Sequence, residues 1–449
     1  MRSSQRKHEP YVVGTVNLMQ TSLRGIAYKA RVEKRHRFQN LFRMLNEQCL
    51  KETFGRLNKK SAPGIDRVTI REYGENLEEN VRDLVERVKR GGYRAKLIRR
   101  KYIPKANGKL RPLGIPATED KLLQTAVSDI LSTIFEQDFL PNSYGYRPGV
   151  GAVDAADRLA TELWHGRYNY VVEADIKGYF DNIDHDWLLK MLEERVDDKS
   201  FLRLVKKWLK AGVLEEDKSV AEPEKGTPQG GSVSPILANV YLHYAFDLWF
   251  QKVVGKQAEA GCSFVRYADD FVCLFRSKAD AERFYEELPR RLAEFGLEVA
   301  KDKTRIIHFS FAHRDNSFDF LGFEFRWRIS RKGRPYVSPR TSLKKMGSAL
   351  RDFRQWCRDN RHLGTKEIFE RVNAKLRGHY NYFGFPGNFD RLARFYHRMT
   401  VILKKWLNRR SQRNRCHWEK FRRLAEIFGI QKPRIRKKPV HVQLPIFSC

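Results

Sequence analysis

The stretch FVRYADDFVCLF (Phe264–Phe275) is among the most apolar runs in the chain, yet Asp269 and Asp270 stand side by side at its centre. A buried carboxylate costs several kcal/mol unless it is paired or holds a metal. In a straight strand, neighbouring side chains point to opposite faces, so adjacent aspartates could not share a ligand. At the tip of a tight hairpin they can, with Val265–Tyr267 and Phe271–Cys273 as its arms. A third carboxylate fits the same logic: Asp175 ends the apolar strand Tyr170–Ala174, just before a glycine-containing turn. Three hard oxygen donors at strand ends suit Mg²⁺, which keeps room for substrate phosphates. Two such ions about 3.5–4 Å apart stabilise the attacking and leaving oxygens of an in-line phosphoryl displacement. On these few residues alone, a pair of solvated turn aspartates fits as well.

Outward from this hairpin, the pattern alternates between strands and helices. KLIRRKYIPKANGKLRPLGIP (96–116) reads as two strands around Asn107-Gly108, a strong hairpin signal. Phe38, Leu41, Phe42, Leu45 and Cys49 fall at helical spacing within 36–58, and Leu122 to Phe135 put their apolar residues on one helical face. SAPGIDRVT (61–69) reads as a loop, and 75–90 as a charged helix. Helices are expected at about 235–252 and 278–295, and FDFLGFEFRW (318–327) alternates like strands. After Pro339 the spacing predicts helices over about 343–360, 365–381 and 388–411, with Asn388 as an N-cap. The last twenty residues read as irregular and basic. A domain boundary is expected near 335–342, where pattern and charge both shift.

Composition sets the class. The chain has 449 residues, 41% hydrophobic and 12% aromatic, enough for two or three domains with a large core. No apolar run approaches the roughly 20 residues of a membrane span. The opening MRSSQRKHEP has no apolar core of a secretory signal. Six cysteines form no C-x-x-C pair, so no disulfide framework or zinc site is expected, and a reducing cytosol is. Net charge is +33, and it is uneven: residues 331–449 hold 31 basic and 7 acidic residues, a net of +24. This charge is interleaved with Tyr380, Tyr382, Phe383 and Trp406, the footprint of a polyanion such as nucleic acid. A basic face made for solubility is the plain alternative.

Read together, the motifs GIDRVT, IPKANGKLRPLGIP, SYGYRPG, ADIKGYFDNIDH, GTPQGGSVSPILANVYL, RYADDFV, GLEVAKDKT and FLGFEF, followed by the helical third, run in order over nearly the whole sequence. In this the chain resembles the bacterial group II intron-encoded reverse transcriptases, or maturases. The resemblance implies an α+β right-hand polymerase, with fingers, a palm built on an antiparallel sheet, and an α-helical thumb/maturase domain. Its expected domains are an N-terminal extension and start of the fingers (1–95), fingers and palm (96–335), thumb/maturase (336–416) and a short basic tail (417–449). By the resemblance, Asp175, Asp269, Asp270 and the Ile176 carbonyl hold two Mg²⁺ ions, with Mn²⁺ as a substitute. Lys109 and Arg111 grip the incoming triphosphate, Arg as a fork and Lys as a point charge. Phe180 stands where the family has its sugar gate, and Gln229 packs near the nucleotide. Tyr267 and the FLGF residues Phe320, Leu321 and Gly322 face primer and template, and the loop around Gly64 and Asp66 contacts template RNA. Arg377, His379, Tyr380, Arg409, Arg410 and Arg413 are candidates for RNA contact in the helical third.

The function so implied is an RNA-directed DNA polymerase that also binds its intron RNA, assists splicing and serves retrohoming. Its partners are group II intron or other structured RNA, a primer–template duplex and dNTPs, with no membrane and with a homodimer left open. The expected location is the bacterial cytosol, at the nucleoid when on DNA targets. Cys416-His417 is isolated, so the Cys/His-rich nuclease of many relatives is not expected. Two other readings stay open: a domesticated relative in DNA repair or phage defence, and a splicing factor whose polymerase site has decayed. Intact Asp175, Asp269, Asp270, Arg111 and Gln229 argue against decay.

Overall fold

Eleven strands form among the described residues, which in this computed structural model are 18–104, 110–410 and 416–436. In chain order they are β1 (Ile98–Pro104), β2 (Leu110–Ile115), β3 (Tyr170–Ala174), β4 (Val213–Leu214), β5 (Val220–Ala221), β6 (Cys262–Tyr267), β7 (Asp270–Phe275), β8 (Arg305–His308), β9 (Ser317–Phe320), β10 (Phe323–Ile329) and β11 (Pro335–Thr341). The chain divides into two units, one of residues 1–141, 178–248 and 291–297, the other of 142–177, 249–290 and 298–449.

The first unit carries the sheet β2-β1-β4-β5. β1 and β2 pair antiparallel with Pro104 opposite Leu110, as a hairpin requires; the Asn107-Gly108 tip lies outside the described residues. The helix Thr118–Phe135 is buried along most of its length, with Leu122, Leu123, Val127, Ile130 and Ile134 fully enclosed. The continuous helix expected through 36–58 does not form. Asn40 adopts a left-handed conformation (φ 59°) and Phe38 forms a parallel bridge with Val196, so the helix starts only at Glu47, where the Asn46 side chain caps the Cys49 amide at 2.9 Å. Tertiary pairing here overrides the helical spacing. The helix Ser234–Leu242 runs on through wider turns rather than ending.

The second unit holds two sheets. One has the order β6-β7-β3-β8 and is antiparallel throughout; the other is β11-β10-β9. The helices Leu343–Asp359, Thr365–Phe383, Phe389–Asn408 and Trp418–Ile427 follow. A single hydrophobic core runs from Val171, Val265 and Val272 of the first sheet through Phe318, Phe323 and Phe325 to Leu376, Phe395, Leu403 and Phe421 of the helices. The change of pattern near 335–342 coincides with strand β11, paired along its length with β10. The helix at Trp418–Ile427 was not expected from the sequence; Phe421 anchors it in the core. Asn388 stands at the predicted N-cap position but caps nothing. Its fully buried amide instead accepts from the Thr341 amide (3.1 Å) and donates to Thr341 Oγ1 (2.9 Å) and the Phe383 carbonyl (2.7 Å), tying strand to helix.

Candidate active site

β6 and β7 form the predicted hairpin, with a two-residue turn of Ala268 and Asp269 between the pair Tyr267 and Asp270. Neither aspartate is buried: the turn projects past the sheet, leaving Asp269 half-buried and Asp270 exposed at the first position of β7. The desolvation cost that the apolar sequence suggests is thereby avoided. β3 lies beside β7 with Ala174 opposite Phe271, so Asp175, the next residue, comes level with Asp270. The antiparallel register thus gathers all three predicted carboxylates at one end of the sheet.

Ile176 bridges Val299, but the hydrogen bonds of that bridge come from its neighbours: the Ala300 amide donates to the Asp175 carbonyl and the Lys177 amide to the Glu298 carbonyl, each at 2.8 Å. In such a pair the central residue's own carbonyl points away from its partner strand. The Ile176 carbonyl therefore faces the side of β3 on which β7 lies.

The turn is built from below. Arg266 is fully buried and donates from Nη1 to the Ala268 carbonyl at 3.0 Å. The segment Asn142–Tyr144 runs along the free edge of β6, with the Tyr144 amide bonded to the Arg266 carbonyl (2.8 Å) and the Arg266 amide to the Asn142 carbonyl (2.9 Å). Behind it, Gly145 presses its backbone onto the turn, where a Cβ would lie 2.2 Å from the Ala268 nitrogen. Ala268 holds φ at +57°, a conformation costly for a residue with a Cβ. The sequence shows SYGYRPG as a motif, but nothing in it says that the motif supports the aspartates.

Lys303 was also missed. Its Nζ is bonded to Asp175 Oδ2, 128 residues away, and this hydrogen bond is the main reason its pKa is raised; the charges of Asp175, then Asp302 and then Asp270 add to it. The lysine is mostly exposed (63%), and exposed pairs of this kind contribute little, about 0–1 kcal/mol. A cation thus already stands against Asp175 and is cheaply displaced. Among the described residues, no three His, Cys, Asp or Glu side chains gather closely enough to form a ready-made metal cage. An open set of carboxylate oxygens that a cation approaches nevertheless suits Mg²⁺, which keeps several waters and takes only one or two protein carboxylates.

β9 and β10 meet in a second tight turn, Leu321-Gly322, with φ of +52° and +80°. Tyr382 donates to the Leu321 carbonyl (3.0 Å) and stacks on Phe323 with ring centroids 5.4 Å apart. Burial, and then the negative fields of Tyr267 and Asp270, push its pKa up to about 12. Phe320 is buried, while Tyr267 and Leu321 are half-buried.

The remaining predicted nucleotide residues belong to the first unit. The Gly114 amide of β2 donates to the Gln229 carbonyl (2.7 Å), and Gly230 (φ +119°) lies so close that a Cβ would sit 2.5 Å from the Gly114 oxygen. Gln229 is thereby seated against the strand that carries exposed Arg111. Lys109 lies outside the described residues. Tyr179 is buried, with its hydroxyl on the Ala238 carbonyl, whereas Phe180 stays half-exposed, held by its carbonyl to the Thr227 amide (2.8 Å). The core role thus falls to Tyr179. Gly64 is buried against Pro116 and Ala117, and Asp66 is paired with Lys96 at 3.1 Å, so both hold their loop in place.

In the helical third, the candidates separate by exposure. Arg377 and Arg409 are exposed, the latter over the Trp406 ring at 5.1 Å. Arg410 is committed to the Leu363 carbonyl (2.7 Å) and Thr365 Oγ1 (3.2 Å), and Arg413 lies outside the described residues. Tyr380 is a core residue, 1% exposed, with its hydroxyl on the Gln431 carbonyl (3.2 Å). His379 stacks on Phe395 (3.7 Å), and its Nε2 is buried without a hydrogen-bond partner among the described residues. Among the described residues of this third, the exposed large aromatic rings are Phe389 and Trp418, the latter beneath Lys404 at 4.8 Å. Helical spacing marks which residues alternate, not which face is covered.

Burial lowers the His379 pKa to about 4. Because the folded-state value is depressed, protons favour the unfolded chain. Stability from this residue is complete above about pH 6.5 and is lost as pH falls from there toward 4, by up to about 3 kcal/mol. Urea unfolding of His379→Phe between pH 7 and 4.5 should lack that part of the pH dependence, while RNA affinity at pH 7.5 stays unchanged.

The family model for reverse transcriptase (RNA-dependent DNA polymerase) matches residues 103–325, and that for the group II intron maturase-specific domain matches residues 346–424. The group II intron-encoded protein LtrA of Lactococcus lactis subsp. cremoris is 31% identical over 410 residues, covering 73% of this chain and 67% of LtrA. Protein YkfC of Escherichia coli is 32% identical over 347 residues, covering 69% of this chain and 89% of YkfC. A putative intron protein from Saccharomyces cerevisiae, COX1/OXI3 intron 1 protein, is 28% identical over 263 residues, covering 48% of this chain and 31% of that protein.

Proposed function

The chain belongs to the group II intron-encoded reverse transcriptases, RNA-directed DNA polymerases joined to a maturase-specific domain, and from that premise we propose that it extends a DNA primer on an RNA template at Asp175, Asp269 and Asp270 and uses its helical third to bind intron RNA. The observation that carries the site is the antiparallel register, which brings Asp175 level with Asp270 at the open end of one sheet. Bound Mg²⁺ would supply the charge that stabilises the attacking 3′ oxygen and the departing pyrophosphate. The carboxylates and the Ile176 carbonyl would hold it, and Lys303 would give up Asp175 as it enters.

The other residues bind and orient. Arg111, with Lys109 beside it in sequence, offers a fork to the triphosphate. Tyr267 and the Leu321-Gly322 turn would position the base pair and primer end, and Gln229 would contact the nucleotide. Residues 96–335 would serve as fingers and palm and 336–416 as thumb. The net charge of +24 over residues 331–449 supports RNA binding, and family membership supports splicing assistance and retrohoming as the biological role. No helix among the described residues is long and apolar enough to cross a membrane.

The direct test is Mg²⁺-dependent primer extension on an RNA template, run beside an intron-splicing assay with the same preparation. A chain that splices but never extends would overturn the polymerase site. One that extends but neither binds nor splices intron RNA would overturn the maturase role. The half-exposed ring of Phe180 is proposed to exclude the ribose 2′-OH. Phe180→Val should admit ribonucleotides at least about tenfold better, as removal of a steric clash of 1–3 kcal/mol predicts. Unchanged dNTP/rNTP competition would leave Phe180 a packing residue.

A further inference from the structure

The first unit presents an open groove of about 400 Å³ between the helix Lys199–Leu209 and the segment at Arg94–Ala95. Its walls carry Arg94, Arg203, Lys206, Lys207 and Lys210, and no acidic residue lines it. We propose that this groove is a second RNA-binding surface, which takes the phosphate backbone of an A-form duplex without reading its sequence. The proposal rests on the reading that RNA is a partner of this chain.

The helix is sharply two-faced. Phe201, Leu204, Val205, Trp208 and Leu209 are buried, while Lys199, Arg203, Lys206 and Lys210 recur on the exposed face. That spacing sets about one cation per helical turn of roughly 5.4 Å. Cations three and four residues apart repel by about 0.2–0.5 kcal/mol per pair. Other cations of this unit have acidic partners: Arg87 pairs with Asp83 and Glu119, Lys96 with Asp66 and Glu119, and Arg100 with Glu215. Arg94, Arg203, Lys206 and Lys210 form no ion pair with any described residue. A solubility face mixes both signs; this one holds a single sign in a concavity, which a polyanion relieves.

The groove is also held firm. Lys207 donates to the Tyr93 carbonyl at 2.6 Å, and Trp208 Nε1 donates to the Tyr93 hydroxyl at 2.8 Å, which in turn bonds Asp120. Both rings are buried, Tyr93 at 1% and Trp208 at 3% exposure. With no ring face presented to the groove, unpaired bases have nothing to stack on, so the surface suits backbone and shape rather than single strands.

The test is the triple variant Arg203→Gln/Lys206→Gln/Lys210→Gln, titrated with a short blunt RNA duplex of arbitrary sequence over a range of salt. Three lost phosphate contacts should flatten the log–log salt slope by about 2–3 units and weaken low-salt binding at least about tenfold. Arg94→Gln, on the opposite wall, should flatten it by about one unit. Thermal melting and extension of a preannealed primer–template should match wild type, because all four side chains are exposed. Unchanged slopes in both variants, with wild type binding the duplex, would overturn the proposal. Equal weakening toward a DNA duplex would overturn its assignment to RNA. Wild type that binds neither the duplex nor intron RNA would instead sink the reading of RNA as a partner.

Discussion

Asp270→Ala should lower dNTP incorporation at least about a thousandfold, the loss expected when roughly 4 kcal/mol of transition-state charge stabilisation is removed. Asp269→Ala should do the same. Asp270 is exposed at the first position of β7, outside the apolar core, and the melting temperature should hold. RNA affinity should stay within a few-fold, because phosphate binding depends on the basic surfaces and not on these carboxylates. Single-turnover primer extension, with RNA binding and melting measured on the same preparation, separates the outcomes. Near-normal extension by the double variant would remove these aspartates from the chemistry altogether.

Gly145→Val should be nearly as damaging, though Gly145 is no part of the chemistry. A Cβ there would lie 2.2 Å from the Ala268 nitrogen and 2.8 Å from its Cα, both backbone atoms that cannot swing aside. The turn carrying Asp269 must move. A displacement of about 1 Å in a reacting group costs on the order of a hundredfold in rate, and overpacking adds about 1–3 kcal/mol of destabilisation. Extension should therefore fall about a hundredfold or more at a temperature where the variant is folded, with kcat lost rather than RNA affinity. Gly378→Ala is the control: nothing lies within 4 Å of its Cβ position, so the exposed helix should gain up to about 1 kcal/mol with unchanged activity. Equal rates for Gly145→Val and wild type would mean that the hairpin tip is not set from behind.

The hairpin, the strand that ends at Asp175 and the helices after residue 342 were legible because each is a local pattern. Period-two alternation, a tight turn between two such arms, and apolar spacing of three and four residues depend only on neighbours in the chain. So did the excess of positive charge in the last third. The spacing misled where a distant strand intervened: Phe38 pairs with Val196 and breaks a helix that its own segment predicts. It also left open what Tyr380 and His379 do, aromatic residues among basic ones: Tyr380 lies inside the core, and His379 is half-buried with its Nε2 covered.

The sequence by itself marked three aspartates near strand ends and a strongly basic carboxy-terminal third, and the resemblance carried by its motifs added Arg111 and Phe180 as candidates. Only the tertiary structure decided what stands around them. It set Arg266 and Gly145 beneath the turn, placed Lys303 against Asp175, ran one core through β11 into the helices, and faced Arg94 with Arg203, Lys206 and Lys210 across a groove. The physical reason is that a sequence pattern reports the face a side chain takes on its own helix or strand, whereas its partner across the fold is chosen by packing between segments a hundred or more residues apart.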